Sequence, residues 1–137
     1  MATYGMTVSL PGKMDEVKAQ LAGELKTQGF GILTEIDMQK VMKEKIGADY
    51  EPYLILGICN PQFANQALSA DRSIGLLLPC TAVLRQTGEQ VEVSILDPEA
   101  AFSVVESQTQ KTLEGLPQEV KRRLQAALSG LEKSNTG

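Results

Sequence analysis

Tyr4, Met6, Val8 and Leu10 alternate with Gly5, Thr7 and Ser9, a period of two that predicts a half-buried strand. Pro11-Gly12 ends it. Met14, Val17, Leu21 and Leu25 then recur at helical spacing, while Glu16, Lys18, Glu24 and Lys26 fill the opposite side and Gly29 stops the helix. Phe30–Ile36 reads as a second strand. Asp37 caps a short helix whose buried side is predicted as Val41, Met42 and Ile46, closed by Gly47. Tyr53–Cys59 is a continuous apolar run. Its length suits a strand covered on both faces, although periodicity alone also fits a buried helical segment. Asn60 is a good N-cap and Pro61 suits the first helical position, so a helix is predicted from Pro61 to about Ser69.

Ile74–Leu78 and Cys80–Gln86 are strand-like, with Pro79 between them marking an edge or a bulge. Thr87-Gly88-Glu89 reads as a hairpin turn. Val91, Val93 and Ile95 alternate with Glu92 and Ser94. Asp97-Pro98-Glu99 starts a helix carrying Ala101, Phe102 and Val105, and the polar stretch Gln108–Gly115 reads as a connection. From Pro117 a last helix aligns Val120, Leu124, Leu128 and Leu131. The order β-α-β-α-β-α-β-β-α-α predicts one α+β domain over residues 1–133, with residues 134–137 a frayed tail. Glu35-Ile36-Asp37 and Ile95-Leu96-Asp97 both end a strand and cap a helix. That echo fits either a repeated half or the ordinary chemistry of strand-to-helix turns.

Composition narrows the chemistry. With 137 residues, 42% of them hydrophobic, the chain can bury a core without a disulfide or metal staple. It has no His, which excludes Ser-His-Asp and Cys-His catalysis and every metal site that needs imidazole. A net charge of −4 and six Phe and Tyr residues in all make it a poor nucleic-acid binder, and Lys121-Arg122-Arg123 reads as a solvated helix face. Gly29-Phe30-Gly31 has neither dinucleotide nor P-loop spacing, so no nucleotide cofactor is expected. The first residues lack a basic, apolar leader and no apolar run reaches membrane length. A cytoplasmic address without membrane attachment follows, in which the two cysteines are expected as free thiols.

The segment Tyr53–Pro98 carries a resemblance. It contains Cys59-Asn60-Pro61, Ala64, Ala67-Leu68, Ile74-Gly75-Leu76-Leu77-Leu78-Pro79-Cys80 and Asp97-Pro98. This pattern resembles the bacterial and archaeal family known as domain of unknown function 302, its core falling at about residues 30–98 here. The resemblance implies an α+β two-layer sandwich, with helices packed on a mostly antiparallel sheet of about five strands, and a homodimer. It brings no settled activity and no catalytic residue.

The candidate site residues are Cys59, Asn60, Pro79, Cys80, Asp71 and Arg72. Cys59 precedes a helix N-terminus, where a thiolate is stabilised, so it is expected to be the more reactive thiol. If the strand ends meet, Cys59 and Cys80 share a pocket; otherwise both are small buried hydrophobes. Two thiols are a short ligand set for zinc, and no metal is expected. Asn60 reads as a cap whose neighbouring N–H groups could also hold a ligand. Asp71-Arg72 reads as a loop pair, orienting a ligand or simply solvated. Three readings follow: a homodimeric, non-catalytic ligand-binding or accessory domain with a cleft near Cys59, Asn60 and Cys80; a thiol-dependent enzyme or redox sensor; and a structural interaction module.

Overall fold

The alternation read from the sequence becomes one five-stranded antiparallel sheet. Strands β1 (Gly5–Pro11), β2 (Gly31–Asp37), β3 (Tyr53–Cys59), β4 (Cys80–Thr87) and β5 (Gln90–Leu96) lie in the order β1-β5-β4-β3-β2. The structure is a computed structural model and describes residues 3–136. Helices α1 (Met14–Thr27), α2 (Met38–Ile46), α3 (Pro61–Ala70), α4 (Pro98–Phe102), α5 (Ser107–Thr112) and α6 (Leu116–Thr136) complete an α+β sandwich.

Register decides which side chains meet the helices. Leu56 stands opposite Ala82, Ala82 opposite Ile95, and Val93 opposite both Leu84 and Val8, so these residues share one face. That face is sealed by Leu21 and Leu25 of α1 and by Leu124, Ala127 and Leu131 of α6, all with no exposed surface. Each fully buried leucine contributes roughly 1.5–3 kcal/mol. A bulge between Ile32 and Thr34 shifts β2 by one residue. It turns Leu33 out to solvent and brings Glu35 opposite Leu56, onto the helix-covered face, where Lys18 of α1 pairs with it.

Four readings of the sequence need correction. Ile74–Leu78 is not a strand: Arg72–Leu77 forms a 3-10 helix, started by Asp71, whose carboxylate accepts from the Ser73 N–H. Helix α2 buries no residue, and Ile46 is 73% exposed. Gln108–Gly115 contains α5, whose Thr109 hydroxyl donates to the Asp71 carboxylate across 3.2 Å. Two-sided cover of β3 is confined to Leu56, Gly57 and Ile58, while Tyr53, Leu54 and Ile55 are half-buried. Helix α6 continues through Thr136, with Asn135 Nδ2 donating to Gln20 Oε1, and Gly137 lies outside the described residues. The leader expectation falls partly on Met1 and Ala2, also outside them.

Candidate functional site at the β3–β4 end of the sheet

β3 ends at Cys59 and β4 begins at Cys80, and the register places Ile58 opposite Cys80. The two thiols therefore lie at the same end of the sheet. Here α3, the 3-10 helix, α4 and α6 converge around a cavity of about 40 Å³. Its walls include Cys59, Asn60 and Cys80 together with Phe30, Phe63, Leu77, Leu78, Phe102, Leu116 and Val120. Apart from the two thiols, no ionisable side chain among the described residues lines it.

Asn60 is the one side-chain amide among the described residues of this wall, and both its oxygen and its nitrogen have protein partners. Its Oδ1 accepts from the N–H groups of Gln62 and Phe63 at 3.1 and 3.2 Å, and Nδ2 donates to the Gln28 carbonyl at 3.5 Å. The Arg123 guanidinium donates to the same carbonyl, lies 5.1 Å from the Phe63 ring centroid and pairs with Glu119. Phe63 in turn meets Phe30 at 6.3 Å between centroids. These contacts fix α3 against α6 and hold one wall of the cavity in place.

The electrostatics of Cys59 differ from the sequence expectation. Burial pushes Cys59 up from its ordinary value. Burial, and then the neighbouring Cys59, push Cys80 up to about 11. A stabilised Cys59 thiolate was expected beside the first turn of α3. The Asn60 side chain occupies the N–H groups of Gln62 and Phe63 instead, so desolvation dominates.

The other candidates lie elsewhere. Pro79 is exposed, on the outer side of the sheet end, and packs over Gly57. Asp71 is a helix cap with both carboxylate oxygens engaged, and Arg72 is exposed; neither lines the cavity. Among the described residues, no group of three His, Cys, Asp or Glu side chains is placed to hold a metal ion. Sequence reasoning missed Phe30, Phe63, Leu77, Leu78 and Val120 as lining residues. It also missed the Asp97–Lys121 pair, 2.9 Å, which ties α4 to α6 beside the buried Pro98.

The sequence profile described as "Domain of unknown function DUF302" matches residues 6–131. The chain belongs to this family. A crystal structure of an uncharacterized conserved DUF302 protein from Bacillus stearothermophilus is similar to it, with a TM-score of 0.82 and 26% identity. The match covers 95% of this chain and 99% of that one. No curated protein matches the chain. Eight residues of the DUF302-like pattern line the cavity, among them Cys59, Asn60, Cys80 and Pro98, so widely separated parts of that pattern converge on one place.

Proposed function

We propose that this DUF302 protein is a non-catalytic binding domain for a small apolar ligand, held in the cavity beside Cys59, Asn60 and Cys80. The observation that carries the reading is the chemistry of the wall. It is apolar, its one amide already has partners, and both thiols are held in the protonated form near neutrality. Such a wall favours transfer of apolar surface out of water and offers no activated nucleophile. The thiol-enzyme reading loses its electrostatic support on the same ground.

The protein is further proposed to work as a cytoplasmic homodimer. The family resemblance and the free edges of β1 and β2 support the dimer, and the two free thiols suit a reducing compartment. Among the described residues, no helix is long and apolar enough to cross a membrane. Sedimentation should give twice the chain mass at micromolar concentration, and a clean monomer would refute it.

Xenon tests the cavity directly. In methyl-labelled protein it should shift the resonances of Ala67, Leu77, Leu78 and Val120 with saturable dependence on gas pressure. Ala67→Leu, and independently Ala64→Leu, should fill the space and abolish the effect with native circular dichroism retained. Shifts that stay linear with pressure, or that persist in both filled variants, would remove the binding reading.

A further inference from the structure

The cavity does not stand alone. Leu77, Leu78, Leu96 and Ala101 line it on one side and, on the other, line a surface groove of about 410 Å³. That groove is rimmed by Leu76 and Val104, which are 90% and 73% exposed. A leucine this exposed usually needs no explanation by itself. Two large aliphatic side chains flanking a groove that adjoins a blind apolar cavity do need one.

We propose that cavity and groove form one binding site for a linear aliphatic chain, its end in the cavity and its remaining length in the groove. This deepens the apolar-ligand reading above and rests on it. Three observations select the ligand class. The cavity, about 40 Å³, admits the end of an unbranched chain but not a ring system of drug size. Among the described residues no charged side chain lines either space, so a charged group has no partner inside and must stay at the open end. Among the described residues the groove offers a single side-chain hydroxyl, that of Thr81. Its rim is aliphatic, with Leu76 and Val104 exposed beside Leu77 and Leu78, a surface that methylenes match without needing a partner.

Leu77 and Leu78 are half-buried and stand between the two spaces. In the proposed site they form the sides of the passage between cavity and groove. The 3-10 segment that the sequence pattern misread as a strand is thereby the element that presents Leu76, Leu77 and Leu78 to the ligand.

The test uses 1-hexanol, 1-octanol and 1-decanol with the full chain, followed by titration calorimetry. Affinity should rise about fourfold for each added methylene that becomes buried. The double variant Leu76→Ser, Val104→Ser changes only exposed positions. It should weaken 1-decanol roughly tenfold while leaving xenon binding and 1-hexanol unchanged. Ala67→Leu should weaken all three alcohols. If 1-decanol binds no better than 1-hexanol, or the double variant binds it normally, the ligand is confined to the cavity; the chain proposal then fails while the small-ligand reading stands. If neither xenon nor any alcohol binds, both fail. Conversion of a dimer to a monomer by the double variant would assign Leu76 and Val104 to a subunit interface and overturn the proposal.

Discussion

Asn60 and Gly29 touch across the junction between α1 and α3: a Cβ placed on Gly29 would stand 2.9 Å from Asn60 Nδ2. Gly29 also has φ +83°, a backbone conformation costly for other residues. Gly29→Ala should therefore destabilise the fold by about 1–3 kcal/mol in urea denaturation. Asn60→Ala should cost about 1–2 kcal/mol through the lost cap. The double variant should lose less than the sum, because truncating Asn60 relieves the steric part but not the backbone part. Strict additivity would show that the two residues do not press on each other.

Gly57 is a second close approach, in the middle of the sheet. A Cβ there would meet the Thr34 hydroxyl and lie 2.7 Å from Pro79 Cγ. Gly57→Ala should cost about 1–3 kcal/mol by overpacking. Adding Thr34→Ala should recover only part of that, since Pro79 remains in place. Thermal and urea melts of the three variants measure it, and full recovery would show that Pro79 is free to move aside.

Cys80, pushed up to about 11 by burial and then by Cys59, ties stability to alkaline pH. The folded protein holds this proton more tightly than the unfolded chain does. The resulting stabilisation is complete below the ordinary thiol value and is lost as pH rises from about 9 towards 11. A shift of this size corresponds to roughly 2–3 kcal/mol. Cys80→Ala should flatten stability between those pH values relative to the parent protein. Peptide-resolved alkylation near neutral pH should be slow at both thiols and slowest at Cys80. Fast labelling of Cys80 in native protein would contradict its burial.

Asp97 responds at the acid end. Burial pushes its carboxyl up, but the Lys121 ammonium and the N–H groups of Glu99 and Ala100 together hold it below the ordinary value. Its stabilisation is present above the unfolded carboxyl range and disappears as pH falls through the folded value. In Lys121→Met, the burial that remains should move the Asp97 titration upward, read by carboxyl-carbon NMR, and weaken the acid dependence of stability. Asp97→Ala should cost about 1–2 kcal/mol through the lost cap of α4. An unmoved titration would show that Lys121 does not govern this carboxylate.

Local signals in the chain determined much of the architecture. Strict alternation specified β1 and β5, because a period of two leaves one face to bury. The helical stripes Val17-Leu21-Leu25 and Val120-Leu124-Leu128-Leu131 specified α1 and α6 in the same way, and all seven residues are buried. Asp37, Asn60 and Asp97 cap helices as expected, since a cap acts on N–H groups two or three residues away. The pattern around Cys59, Asn60 and Cys80 falls at one end of the sheet, where β3 ends and β4 begins.

What the chain could not specify depended on partners distant in sequence. Ile74–Leu78 is apolar enough for a strand. Only the Asp71 cap and the docking of Ile74 into the core made it a 3-10 helix with Leu76 outside. Ile46 has helical spacing, yet no neighbour covers it. Cys59 precedes a helix N-terminus, but the Asn60 side chain takes the N–H groups of its first turn, and partial burial raises this thiol where the sequence position predicts a lowering. Cys80, with no helix terminus beside it in sequence, rises by burial as its position predicts. Phe30, Leu77, Phe102 and Val120 became one cavity wall only when α3, α4, α6 and the 3-10 helix packed around the sheet end. Burial is a property of the assembled neighbours, and a local pattern cannot encode which of them arrive.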